Sequence, residues 1–207
     1  MGIVAGTVSY LRFVSGDLPE GFEVRFCDAL NNHAFHEIDP STDVEIQRGW
    51  VRFDDAFEAN FEPPTLLDAG GHMLFRLRID TLRIPNVTLK AWTTREERER
   101  CVKLNRDKLS KKERDQLKLD VKKKLRLRSL PKMQLVEIDW NVSTGEVRLA
   151  ATSKAIAAQF IDAFEKSFEI KLDPVGLLKL LALRGMKEDD IDALARLEPE
   201  RFHLIRR

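Results

Sequence analysis

Residues 72–84 alternate as a half-buried strand does. Met73, Phe75, Leu77 and Ile79 fall on one side, and Arg76, Arg78 and Asp80 on the other. Pro85 stops that strand, and the segment after it is too charged to be core. Residues 95–132 hold 16 Lys/Arg against 7 Asp/Glu, a net of +9, which leaves 19 basic against 27 acidic residues elsewhere, a net of −8. The overall net charge of +1 hides this division. The acidic, core-forming body carries one strongly basic segment, which reads either as a solvated, salt-bridged helix face or as a segment that can attract a polyanion even in a nearly neutral molecule.

The appendage reads as two helices. Residues 86–105 have helix-compatible composition, and Ser110-Lys111-Lys112-Glu113 is a capping box that starts a second helix running to about Leu127. The break over residues 105–110 predicts a helical hairpin in the topological sense. Around it lie a strand over residues 7–14, a helix over 20–32 with Phe22, Phe26 and Leu30 in step, and β-like residues 45–53. Pro63-Pro64 and Gly70-Gly71 mark a loop. Residues 133–140 and 146–150 read as a β-hairpin, and Ser153 caps a helix with Phe160 and Phe164 on its apolar face. Asp173-Pro174 reads as the cap and first-turn proline of a leucine-rich helix over residues 177–183. Gly185 ends that helix, and another helix is expected over 189–197.

The pattern predicts an α+β fold: an antiparallel-rich sheet with packed helices, a protruding basic helical hairpin and a small C-terminal helical tail. The expected divisions are a central domain of residues 1–88 plus 133–172, a hairpin of 89–132 and a tail of 173–207.

With 43% hydrophobic residues the chain can bury a core, and no apolar run approaches the ~18 residues of a membrane span. Met1-Gly2-Ile3-Val4-Ala5-Gly6 has no basic region ahead of its apolar stretch, so no secretory signal is expected. Cys27 and Cys101 are too few for a disulfide framework or a cysteine-based zinc site. The expected localisation is cytoplasmic, with no membrane partner and no cofactor, since no phosphate-cradling glycine loop is present.

In the second hairpin helix, Lys111, Arg114, Lys118, Lys122 and Arg126 recur at spacings that put them on one face, a row of roughly 22 Å. Leu117, Val121 and Leu125 form a neighbouring packing stripe. Lys123, Lys124 and Arg128 thicken the basic end. Lysines on a helix suit phosphate contacts, which position a protein without reading sequence. The row holds no Asn or Gln to read adenine edges, so binding to double-stranded DNA is expected to be non-specific.

With this layout in hand, the sequence resembles the bacterial recombination-associated RdgC family from the strand at residue 72 to the helix ending near Phe168. The resemblance is carried by Leu104-Asn105-Arg106-Asp107-Lys108-Leu109-Ser110-Lys111-Lys112-Glu113-Arg114-Asp115, then Leu125-Arg126-Leu127-Arg128-Ser129-Leu130. It continues through Ile138-Asp139-Trp140 and Ala151-Thr152-Ser153-Lys154-Ala155, with weaker echoes at Ala34-Phe35 and Gly49-Trp50-Val51. It implies a non-catalytic, largely sequence-independent DNA-binding protein that restrains RecA-type recombination on the nucleoid, with ring-like homodimers around duplex DNA. Family members are longer, and after Asp173 this sequence has no counterpart to the portion that supplies one ring contact. Leu130, a tip-contact candidate, stands where the family carries phenylalanine, and Leu127 where it often has proline.

The family has also been labelled an exonuclease. A metal-dependent nuclease needs converging carboxylates. Asp43 with Glu45, Asp54 with Asp55, Glu137 with Asp139, and Asp189, Asp190 and Asp192 are the candidates, none in a nuclease motif. His33 and His36 lack a third ligand, and His72 and His203 are isolated. Cys27 falls among core residues, and Cys101 lacks an activating base. Trp50, Trp92 and Trp140 are scattered, as packing residues are. No catalytic residue and no metal site is assigned. Besides DNA binding, two other functions fit the sequence: a protein-interaction or homodimerisation module built on Leu177, Leu178, Leu180, Leu181 and Leu183, and a nuclease.

Overall fold

The computed structural model describes residues 9–18, 21–62, 67–68, 71–183 and 185–197. Its fold is α+β. In chain order the elements are β1 (Leu11–Ser15), α1 (Phe22–Asn32), β2 (Ile46–Arg52), β3 (Leu67–Asp68), β4 (His72–Thr81), α2 (Asn86–Leu104) and α3 (Lys111–Arg128). Then come β5 (Lys132–Asn141), β6 (Glu146–Leu149), α4 (Lys154–Phe168), β7 (Leu172–Pro174), α5 (Leu177–Leu183) and α6 (Glu188–Ala195). The antiparallel sheet runs β2-β4-β5-β6-β1-β7, and the short β3 also pairs with β4.

The alternation of β4 sets the two faces. Met73, Phe75, Leu77 and Ile79 meet Val136, Ile138 and Trp140 of β5, Val147 and Leu149 of β6, Phe13 and Trp50, all buried. Helices α1 and α4 cover this face with Phe22, Phe26, Leu30, Phe160, Phe164 and Phe168. The rings interlock: Trp140 meets Phe164 edge to face at 4.8 Å, and Phe164 lies tilted against Phe168 at 4.7 Å, centroid to centroid. Each fully buried aromatic contributes roughly 1.5–3 kcal/mol. The Trp50 indole N–H donates to Ser167 Oγ at 2.7 Å, so Trp50 and Trp140, both fully buried, are packing residues. Cys27 is core as well, and burial pushes its thiol above the ordinary value.

The opposite face is polar. Arg78, 5% exposed, makes two hydrogen bonds to Asp80 and lies 4.1 Å from the Phe35 ring centroid. Arg76 donates to Glu137 at 2.8 Å.

One expectation is corrected at the tail. Asp173 and Pro174 do not cap a helix; they belong to β7, with Pro174 opposite Phe13 and Asp173 opposite Val14. β7 is an edge strand, where a proline's missing N–H can face away from the ladder. The tail begins inside the sheet, and its first helix starts at Leu177. Gly185 has the positive φ of a helix stop (82°), as its position suggested.

β4 and β5 pair along their full lengths, from His72↔Asn141 to Thr81↔Lys132. The basic hairpin is therefore an insertion between adjacent strands, its two ends clamped at one point of the sheet. α2 ends at Leu104 and is capped by Asn105, in the left-handed region at φ 47°. α3 opens on the expected capping box: the Ser110 N–H donates to Glu113 at 2.7 Å and the Glu113 N–H donates to Ser110 Oγ at 3.3 Å. Ser110→Ala is expected to lower the unfolding free energy by about 1 kcal/mol, read by urea denaturation. The Ser110 backbone N–H, the leading cause, holds the Glu113 carboxyl below its ordinary value. A depressed carboxylate helps most above its unfolded pKa, and that help is lost as pH falls through the folded value.

Candidate nucleic-acid interface

Leu117 and Val121 of α3 turn inward and close a second small core with Leu89 and Leu109, backed by Ile84, Cys101 and Leu125. This is the stripe anticipated from sequence, and it packs on α2. With the stripe inward, the adjoining basic row is divided by its distance from the body.

Toward the tip, Lys111, Arg114 and Lys118 are exposed, and among the described residues none makes an ion pair. Toward the base the row turns into the protein. Lys122 is half-buried, its Nζ 3.5 Å from Glu45. Arg126 was expected in the DNA-binding set, but it is 1% exposed. Its Nε donates to Pro40 O at 3.3 Å, Nη1 to Leu82 O at 3.1 Å and Nη2 to Val44 O at 2.7 Å. One guanidinium thus ties α3 to residues 40–44 and to the end of β4. A planar fork of donors suits separate carbonyls. The five-residue face is not a solvent face, and its last member anchors the hairpin.

Of the remaining candidates, Lys123 and Arg128 are exposed without an ion pair among the described residues, and Lys124 reaches Glu96 at 3.1 Å. Exposed pairs of this kind are worth little and break readily for a phosphate. Leu130, expected at a tip contact, is 93% exposed but stands at the base of the hairpin, in the link from α3 to β5, whereas the tip is the turn between Leu104 and Lys111.

The first helix adds cations that sequence reasoning passed over. Lys90, Arg98, Arg100 and Lys103 are exposed with no ion pair among the described residues, and Arg95 sits over Trp92, 5.4 Å from the ring centroid, while bonding to Glu99. Lys90, Arg95 and Arg98, with Val87, Ala91 and Thr94, line one shallow groove along α2 that also holds the acidic Glu99. The signal was present, because Lys90, Thr94 and Arg98 recur every fourth residue.

The carboxylates considered for catalysis are mostly committed elsewhere. Glu45 faces Lys122, Asp54 pairs with Arg52, and Glu137 pairs with Arg76. Among the described residues no group of three or more His, Cys, Asp or Glu is placed to hold a metal ion. His72, read as isolated, is not. Its Nδ1 lies 2.6 Å from Asp139 Oδ1 and its Nε2 lies 3.0 Å from the Asn141 amide, on the polar sheet face. Arg148 approaches the same Asp139 at 3.5 Å and bonds to Glu146, which holds the Glu146 carboxyl below its ordinary value. His203 lies outside the described residues.

Fold and site together define an α+β protein with a basic helical hairpin inserted between paired strands. No protein-family model matches the chain, and no curated protein matches it. Among the described residues, no helix is long and apolar enough to cross a membrane.

Proposed function

We propose that this protein is a non-catalytic, largely sequence-independent binder of double-stranded DNA that grips phosphates with the outer surfaces of its hairpin. The observation that carries this reading is the set of exposed hairpin cations that have no acidic partner among the described residues: Lys111, Arg114 and Lys118 on α3, joined by Lys90, Arg98 and Lys103 on α2. The resemblance to the RdgC family supports it and suggests the setting, modulation of RecA-type recombination on the nucleoid.

The test is a salt titration of binding to a random-sequence duplex. Three phosphate contacts by Lys111, Arg114 and Lys118 alone give a slope of log affinity on log salt of about −2.7, and each further contact steepens it by about 0.9. Reversing Lys111 and Lys118 to Glu is expected to flatten the slope by about 2 and to weaken unrelated duplexes equally. Unchanged affinity at low salt removes the hairpin as the binding face.

A second reading, a protein-interaction module built on the tail, draws on the exposure of Leu178, Met186, Leu194 and Leu197. Binding of DNA that survives deletion of residues beyond Pro174 separates the two.

A further inference from the structure

β5 is longer than the strand beside it. It pairs with β4 throughout, but with β6 only at Ile138, Asp139 and Trp140, and the Ala150 N–H donates once more to Glu137 O at 2.9 Å. The chain then folds back, with the Ala151 N–H on Leu149 O at 2.7 Å, and leaves the sheet for α4. Residues 132–136 are left with no neighbouring strand on that side among the described residues.

The alternation of the ladder says which groups are exposed. Glu137 turns its carbonyl toward β6, so Leu135 and Met133, two and four residues back, turn theirs to the same open side, while Gln134 and Val136 serve β4. Gln134 and Leu135 are exposed, Leu135 by 38%, and Leu130 stands just before the strand at 93%. Edges are ordinarily blocked by charge or proline. Here Pro131 and Lys132 guard one end only, and Met133-Gln134-Leu135 carries no such guard.

We propose that this notch is a dimerisation edge, where β5 pairs antiparallel with β5 of a second copy about an axis at Gln134. The segment is complementary to itself in that register. Met133 faces the partner subunit's Leu135, and the two exchange main-chain hydrogen bonds. Gln134 meets its own counterpart, amide to amide, and Lys132 lies opposite Val136, so no like charges are opposed. α3 runs into β5 after three residues, so the seam brings the bases of two basic hairpins together. This inference stands apart from the nucleic-acid reading, because the mass is measured without DNA.

So short an edge gives a weak dimer. Light scattering from about 10 µM to about 1 mM, a range spanning weak association, should show the mass rising from 23.9 kDa toward twice that value. Leu135→Pro removes only the outward N–H and should hold the chain as a monomer. Leu135→Lys should do the same and covers the case in which proline unfolds the strand. In a Cys101→Ser background, Gln134→Cys should cross-link between chains under mild oxidation, whereas Lys132→Cys should not. A monomer at the highest concentration overturns the proposal. So does a dimer that persists in both Leu135 variants, or one that cross-links through residue 132 instead of 134.

Discussion

Gly49→Ala is expected to destabilise the protein by about 3 kcal/mol, the upper end for overpacking a core and a large part of the 5–15 kcal/mol that holds a typical domain. Gly49 lies in β2 opposite Arg78 of β4. The chain leaving α1 returns here: the Trp50 N–H donates to His33 O at 3.1 Å and the Phe35 N–H to Trp50 O at 2.9 Å. A methyl on Gly49 would sit 2.4 Å from Phe35 Cα, 2.5 Å from Phe35 N and 2.7 Å from Ala34 O. Carbon atoms rest at roughly 3.5–4.0 Å, so the backbone of residues 34–35 must move by more than an ångström. No rotamer change relieves a clash with backbone. The displacement would also lift the Phe35 ring from the Arg78 guanidinium and loosen the hydrogen bonds of residues 33–35. Urea denaturation of Gly49→Ala beside Gly176→Ala is the measurement. A methyl at Gly176 meets nothing within 4 Å, so that control should be neutral or slightly stabilising. Equal midpoints for the two variants would mean that the strand crossing is not tight.

The readability of such features from sequence depends on the distance over which they are decided. Met73, Phe75, Leu77 and Ile79 declare their face within one strand, the Ser110–Glu113 box closes within one turn, and Leu117 and Val121 announce the packing side of α3. Pro174 was misread because a proline suits both a helical first turn and an edge strand, and the choice was made by β1, far away in the chain. His72 looked solitary because Asp139 lies 67 residues on, brought beside it by strands that flank the whole hairpin. The notch in the sheet has the same origin, since the lengths of β5 and β6 become unequal only once their pairing is known.

Arg126 is the sharpest case, and its removal is the other large effect expected. On α3 it comes one turn after Lys122, and nothing local sets it apart from the lysines before it. Its partners are 44, 82 and 86 residues away in the chain. Arg126→Met keeps most of the side-chain volume but strips a donor from each of Pro40 O, Val44 O and Leu82 O, which lie around a buried centre. Unsatisfied buried groups cost about 1–3 kcal/mol each, less where water can enter, so a loss of about 3 kcal/mol is expected in chemical denaturation. Arg126→Lys should recover little of it, because one ammonium cannot address three carbonyls spread across a planar fork. Hydrogen exchange should quicken first over residues 39–45, which the guanidinium holds against β4 and α3. DNA binding supplies the discriminating readout. Under conditions where the variant stays folded, Arg126→Met should leave the salt slope as it was, whereas Lys118→Met should flatten it by about 0.9. A slope that flattens equally for both would place Arg126 on the phosphates and return the whole row to the solvent face.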